Sequence, residues 1–370
     1  MDSCKRYKRL IIFGAQGYAL AAYEAIKTLY PEYEIPFFMV SSPDGNAPVL
    51  GGIPVKEISE VSSAMSETEK QSIEVLIATP PAVHQEIESL LVSHSFLNNK
   101  RLDDDLLERL LEKFHEIKGR FKPLQSLPMG DDLAEMCIYM ARCHKDRPYK
   151  NSFLLPENTY PIQVGRSCCD KKIADITDDT GDNISKKNGN YSELTGLYWI
   201  WKNALCKGVS PCGEEIDYFG LVQYRRMFDL SLDDETRITG NDVDVVLPYP
   251  LPYEPDINAH HLRYLKDADW NALLAALKEL QPEYAAAFPD ILGQRYLYNY
   301  NVIIAKKQVL SDYCSWLFPI LERTEELSDP KGCDRSDRYI GYMGETLETL
   351  YFMKNADHLK ITHTCCRMVV

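Results

Sequence analysis

The chain has 370 residues, 45% of them apolar and 26% charged, with a formal net charge of -14 at pH 7. That length accommodates two domains with cores of their own, and the composition is that of a globular protein, which excludes a disordered one. The acidic balance argues against nonspecific affinity for nucleic acid, so an anionic ligand must be met by a local cluster of Lys, Arg and backbone N–H groups.

The N-terminal "MDSCKRYKRLIIFGAQG" has basic residues and a short apolar run broken by Gly14 and Gly17, with no cleavage-like segment after it. No window approaches the roughly 20 apolar residues that cross a bilayer, and the expectation is a cytoplasmic protein. Eleven cysteines include two adjacent pairs, Cys168-Cys169 and Cys365-Cys366, and no CxxC, so reduced, mostly structural thiols are expected in place of a zinc site.

Residues 1–97 alternate strand and helix signals: "RLIIFGA", the helix "YALAAYEAIKTLY", then "IPFFMVSS", "IEVLIATPP" and the helix "AVHQEIESLL". The pattern predicts a small parallel sheet. Gly14 and Gly17 sit where a first strand turns into a helix, a place that holds phosphate on helix N–H groups or serves packing alone. A third glycine of the dinucleotide fingerprint is missing, and Asp44 lies beyond the second strand, which disfavours a nicotinamide enzyme. "VLGGIPVKEI" and "IATPPAVH" resemble the Rossmann-like, nucleotide-binding-type half domain at the front of some sugar acyltransferases and polysaccharide enzymes.

Residues 98–130 begin polar, carry one amphipathic helix (Leu106, Leu107, Leu110, Leu111, Phe114) and end in Pro and Gly, which reads as a helical linker. A second α/β domain is expected over 131–370, opening with the strand "MCIYMARCHKD" and continuing through "DYFGLVQYRRMF", "DVDVVLPYP" and "NVIIAKK". Helices are expected at 192–205, 268–280 and 308–326.

Polar residues collect after the strands, where open α/β sheets bind ligands. His144 and Lys145 follow the first strand of this domain, and Asp178, Asp179, Asp182, Asn183, Lys186, Lys187 and Asn188 fill the loop before an aromatic helix. Asn190 and Glu193 have the spacing of a variant capping box, and Leu194, Leu197, Tyr198 and Trp201 make a stripe that favours core over ligand platform. Capping needs one amide, whereas "GDNISKKN" brings two amides, an acid and two lysines to a helix N-terminus; it is an anion-binding loop or a solvated one.

In "LVQYRRMF", Tyr224, Arg225 and Arg226 follow an apolar strand. Adjacent arginines on a strand point to opposite faces, so both reach one pocket only where the strand has turned; a guanidinium there suits a diphosphate. Asp242 and Asp244 make a DxD pair that either holds a divalent cation, manganese or magnesium, or is a pair of edge carboxylates. Asp337, Arg338 and Glu345 surround a turn entering a helix, where a carboxylate acts as general base or as one half of an ion pair.

Together "ARCHKD", "VGRSCCD", "DDTGDNISKKNGNYSELTGLYWIWKN", "DYFGLVQYRRMF", "DVDVVLP", "NYNVIIAKK", "YCSWLFPIL" and "DRYIGYMGETL" resemble, in this order and over about 137 to 362, the capsular and exopolysaccharide glycosyltransferase family long catalogued as a domain of unknown function. Gln223 stands where that family has His before Tyr-Arg-Arg. The resemblance implies a GT-A-like, mixed-sheet domain that moves a hexose, galactofuranose among the options, from a UDP-sugar to a cell-surface glycan on a lipid carrier, by one displacement. It implies a donor pocket bordered by Asn183, Lys187, Asn188 and Glu193, with His144 and Lys145 near the nucleotide, Arg225 and Arg226 at the diphosphate, Tyr224 and Arg338 among the other donor-binding residues, and Glu345 or Asp182 as base. No nucleic acid partner is expected, and peripheral contact with the inner face of the membrane is. The rival reading is a noncatalytic nucleotide-sugar or glycan-binding protein.

Overall fold

A computed structural model describes residues 8–147, 154–331 and 335–368. The chain is a mixed α/β protein in two compact units, Met1–Arg120 with Leu251–Glu254, and Phe121–Pro250 with Pro255–Val370.

In the first unit the strands run in the order Val49–Leu50, Ile53–Glu57, Phe38–Val40, Lys8–Phe13, Glu74–Ile77, Asn99–Arg101. The pairings are parallel apart from the edge pair Val49–Leu50 and Ile53–Glu57. Alternation along Lys8–Phe13 sends Ile11 and Phe13 into a core with Met39, Val75, Ile77, Ile87 and Leu91. Leu10 takes the other face, toward Ile26 of the helix Gly17–Leu29 and Leu110 of the helix Asp104–Lys118.

The linker expected from 98 is therefore corrected in its first part. Asn99–Arg101 pairs in parallel with Glu74–Ile77 as an edge strand, and the polar "NKR" that suggested a linker suits an edge open to water. Asp104–Lys118 buries Leu107, Leu110, Leu111 and Phe114; Asp103 caps it by accepting the Leu106 N–H at 2.8 Å, and Gly119 ends it in a left-handed turn with φ 62°.

The second unit is built on a mixed sheet in the order Ile176–Thr177, Thr159–Gln163, Met136–Arg142, Tyr218–Gln223, Ile303–Lys306, Val245–Pro248, Ile361–Thr364. Ile303–Lys306 runs antiparallel to both neighbours, while the other pairs along this row are parallel. The buried runs "MCIYMA" and "YFGLV" explain why the two central strands lack polar alternation: both of their faces are covered. Met136, Ile138, Met140, Val222, Val246 and Ile304 form one core. The helices Asp267–Leu280, Pro282–Leu292, Lys307–Leu327 and Tyr339–Lys354 pack with one another. No helix among the described residues is long and apolar enough to cross a membrane.

The aromatic helix differs from expectation. Asn188–Tyr191 is a separate turn, Ser192 breaks it with φ 51°, and Leu194–Trp199 runs into a wider, π-type turn at Ile200–Ala204. No Asn190/Glu193 capping box forms, because Glu193 is turned away toward Asn301, whose Nδ2 donates to its Oε1 at 2.7 Å. Leu194 and Leu197 are core, whereas Tyr198 and Trp201 are half-buried, Trp201 stacked on Phe318 with centroids 5.5 Å apart.

Candidate functional site

A cleft of about 430 Å³ opens at the carboxyl ends of three neighbouring parallel strands of the second unit. Ala141, Cys143, Lys145 and Asp146 come from the end of Met136–Arg142, Val164 follows Thr159–Gln163, and Gln223, Tyr224 and Arg225 follow Tyr218–Gln223. Asn188, Gly189, Ser192 and Glu193 form a second wall, Ser336 and Arg338 a third. The strand-to-loop transition of a parallel sheet is where backbone groups and loop side chains are free to face a ligand.

The second wall is set by a carboxylate outside the cleft. Asp178 is fully buried and accepts four hydrogen bonds: from the N–H of Gly165 at 2.8 Å and of Arg166 at 3.1 Å, from Ser185 Oγ at 2.5 Å and from Thr195 Oγ1 at 2.7 Å. One side chain thus ties the end of the strand Thr159–Gln163, the turn Ser185–Lys187 and the helix Leu194–Trp199 together. Asn188 donates to Ser192 O at 2.7 Å and Thr195 Oγ1 at 3.1 Å. Gly165, with φ 64°, leaves room for it, since a Cβ there would lie 2.5 Å from Asn188 Oδ1.

The two arginines are separated by a tight hairpin. Gln223 pairs antiparallel with Arg226, so Tyr224 and Arg225 are the turn and the strand has reversed at the point where both guanidiniums could diverge. Arg225 enters the cleft. Arg226 starts the return strand and lies over the Tyr300 ring, 3.7 Å from its centroid. Gln223, which lines the cleft, donates to the backbone carbonyl of the same Tyr300 at 2.7 Å.

The third wall is a buried ion-pair knot. Arg335 donates to Asp269 twice, at 2.6 and 2.7 Å, and to Asp337, and its guanidinium lies 4.0 Å from the Tyr339 ring centroid. The pair with Asp269 is bidentate and buried, the geometry that makes an Arg–carboxylate pair strong. It fixes the turn in which Arg338 adopts φ 65° and donates from Nε to Ser192 Oγ at 2.9 Å.

Three carboxyls cluster at the second wall, of which Glu193 alone lines the cleft. Glu193 is 9% exposed, and burial pushes it above the ordinary glutamate range against the Asn301 hydrogen bond and the Arg338 and Arg226 charges. Burial, reinforced by Glu193, pushes Glu345 up to about 8, against the Tyr300 N–H and the Arg226 and Arg338 charges. Burial, with Glu345 and Glu193 beside it, also pushes the Glu348 carboxyl up.

The expected residues thus divide. Lys145, Asn188, Glu193, Tyr224, Arg225 and Arg338 share the cleft; Arg226 and Glu345 stand behind it. His144 is exposed and does not line it. Lys187 pairs with Glu325 at 2.5 Å, and Asn183 closes a local turn by donating to Gly181 O and accepting the Ser185 N–H. Asp182 accepts from Tyr198 at 3.1 Å away from the cleft.

Asp242 and Asp244 do not suit a divalent cation. Lys306 binds both, Lys360 Nζ binds Asp242 at 2.9 Å, and these lysines hold the Asp242 carboxyl down at about 2. A metal would have to displace two ammonium groups. Gly14 has φ 121° and a Cβ there would meet Ala78 O at 2.6 Å, while one on Gly17 would meet Leu251 at 3.3 Å, so close packing accounts for both glycines.

Sequence reasoning did not assign roles to Asp178, Arg335, Tyr300 or Asn301. Asp178 carried a signal: a carboxylate followed at short intervals by Gly, Asn and Ser, the residues that fold loops around an acceptor.

The family described as Domain of unknown function (DUF4422) matches residues 138–356, the span that contains every wall of the cleft. Among solved structures, an apo structure of the bifunctional glycosyltransferase WbbM is 28% identical, covers 64% of this chain and 45% of its own, and superposes with a TM-score of 0.52. The chain therefore spans less than half the length of that relative. The crystal structure of RSP, a Rex-family repressor, matches at 15% identity over 30% of this chain and 61% of its own, with a TM-score of 0.22, too slight to bear on fold or function. No curated protein matches.

Proposed function

From membership of the DUF4422 family, to which a match over more than half of its length assigns this protein, we propose that it is a glycosyltransferase that takes a nucleotide-sugar into the cleft of its second unit and passes the sugar to a glycan hydroxyl. The observation that carries this reading is the gathering of Lys145, Arg225 and Arg338 in one cleft of a protein whose net charge is -14. Its volume, about 430 Å³, suits a small-molecule ligand. The likeness to WbbM supports a transferase, and the mixed sheet supports a GT-A-like domain that follows a Rossmann-like one in the chain.

On this reading the donor is a UDP-sugar, with galactofuranose or another hexose as the sugar, and the acceptor is a growing cell-surface glycan, free or lipid-linked, met on the cytoplasmic side of the membrane. The acceptor oxygen bonds to the anomeric carbon, the bond from that carbon to the diphosphate oxygen breaks, and the nucleoside diphosphate leaves with the electron pair, inverting the centre. Arg225 and Arg338 neutralise the charge that grows on the leaving oxygens. Asn188 and Tyr224 supply polar contacts to the rest of the donor.

A thermal-shift screen of UDP, UDP-galactofuranose, UDP-galactopyranose and UDP-glucose against wild type and an Arg225→Ala/Arg338→Ala variant tests the site. Stabilisation of the wild type that disappears in the variant is expected, together with slow release of UDP from the preferred donor in water. Equal stabilisation of both proteins contradicts the site. Binding without any UDP release, with or without acceptor glycans, favours the noncatalytic reading.

A further inference from the structure

The helix Tyr339–Lys354 carries Glu345 and Glu348 three residues apart, hence on one face. Beside Glu345 lies the dipeptide Tyr300-Asn301, both residues with positive φ, 81° and 50°. The left-handed backbone lets two consecutive residues serve two acids. The Tyr300 N–H donates to Glu345, and Asn301 Nδ2 donates to Glu193 Oε1 at 2.7 Å and to Gly341 O at 3.2 Å. A non-glycine residue holds such a conformation only where the surroundings enforce it, and it clusters at sites of function.

The cluster is short of donors. Asn301 Oδ1 and Glu348 Oε2 are buried with no hydrogen-bond partner, in residues 2% and 1% exposed. Asn301 Oδ1 lies against Gly344, where a Cβ would approach to 2.8 Å, next to Glu345 in sequence. Buried acceptors are ordinarily satisfied, and a carboxyl donates only by keeping a proton. The charged groups that face the cluster are Arg226 and Arg338. Of the three acids, Glu193 is the one that lines the cleft.

We propose that Glu193 is the general base of the transfer and that Glu345, the carboxyl behind it, keeps one proton shared within the pair. The proposal rests on the cleft being the transfer site. Glu345 holds the proton in the resting enzyme, which leaves Glu193 ionised toward the acceptor. As the acceptor oxygen bonds to the anomeric carbon and the diphosphate departs, the hydroxyl proton passes to Glu193. Glu345 is a positioning residue: it touches no substrate and sets the pH at which Glu193 is ready. This reassigns the base from Glu345 and Asp182.

The test uses the full-length protein, with UDP release from the UDP-sugar that stabilises it most and Glu193→Gln, Glu345→Gln and Glu345→Asp variants. Glu193→Gln is expected to lose about 10²- to 10⁴-fold in turnover with donor stabilisation kept. Glu345→Gln is expected to stay active while the acidic limb of its kcat/KM profile moves to higher pH, because an amide donates a weaker hydrogen bond to the Glu193 carboxylate than a carboxylic acid does, and Glu345→Asp to move that limb back. Wild-type turnover in Glu193→Gln, or an unmoved limb in Glu345→Gln, overturns the assignment.

A substrate-free measurement separates this from the transfer reading: the pH titration of ¹³C-carboxyl-labelled glutamates by NMR. A carboxyl still protonated at pH 7 that disappears in Glu345→Gln supports the shared proton, whereas all glutamates titrating below about pH 5 overturns it. If no UDP-sugar is bound or cleaved by the wild type, the transfer reading fails and takes the base role with it, and the NMR result still judges the proton.

Discussion

Asp178 and Glu345 are both buried or half-buried acids in the second unit, and they differ in the hydrogen-bond donors around them. Asp178 has four donors around two oxygens, so its charge is paid for locally. Asp178→Ala strands two backbone N–H groups and two hydroxyls, and should cost roughly 3 kcal/mol or more of unfolding free energy, with Asp178→Asn losing less; urea denaturation measures both. Glu345 has the Tyr300 N–H, and burial, reinforced by Glu193, pushes its carboxyl up to about 8. A carboxyl whose folded value lies above its unfolded one binds more protons in the native state between about pH 4.5 and pH 8, so its contribution to stability falls as pH rises through that window. Wild type should therefore lose more of its melting temperature between pH 5 and pH 8 than Glu345→Gln; parallel curves for the two proteins contradict the raised value.

Individual cleft residues were readable where their chemistry was unusual for their surroundings. Arg225 and Arg338 stood out as cations in an acidic chain, and both reach the cleft. Lys187 stood out equally and does not, because Glu325, 138 positions away, claims it. No local pattern announces a partner that distant. The spacing of Glu193 from Asn190 fits a helix cap, but the competing Asn301 contact, 108 residues on, decides its direction.

Two turns aim the cleft's cations, and each has its own test. The hairpin at Tyr224-Arg225 reverses the strand, a possibility that alternation along an uninterrupted strand could not anticipate. The turn before Tyr339–Lys354 hangs on Arg335 and Asp269, both nearly inaccessible in their side chains. Arg335→Ala leaves the Asp269 carboxylate buried and unpaired, so a loss of about 3–5 kcal/mol in chemical denaturation is expected, with the Arg335→Ala/Asp269→Ala double variant recovering part of it. Additive losses contradict the coupling. Across the sheet, Gly165→Ala should cost about 1–3 kcal/mol of stability, because its left-handed backbone resists a side chain, and should weaken UDP binding, because its Cβ would push Asn188 off the cleft wall. Unchanged affinity in calorimetric titration removes Asn188 from the site.

Strands with continuous apolar runs, such as Lys8–Phe13 and Met136–Arg142, were plain in the sequence because burial on both faces leaves a strong composition signal. Thr159–Gln163 and Ile361–Thr364 were not, since Thr, Tyr, Gln and His in short runs look like loop and acquire strand geometry from their neighbours in the sheet. Asn99–Arg101 was hidden for the same reason, which is why the first unit runs past the boundary that composition suggested.

Charge distribution joins these parts. A protein of net charge -14 can admit a nucleoside diphosphate only where positive groups outnumber acids locally, and the cleft brings Lys145, Arg225 and Arg338 together at strand ends. The first unit has a mostly parallel sheet with a glycine turn after its central strand, but Gly14 and Gly17 are used in packing. Parallel strands and a glycine turn do not by themselves make a site.

The location of bound UDP in a crystal structure of the full-length protein is the most direct measurement. The diphosphate should lie within hydrogen-bond reach of Arg225 and Arg338, with Glu193 facing the vacant sugar position. UDP seated at the Gly14–Gly17 turn, with the cleft of the second unit filled by solvent, would contradict the account.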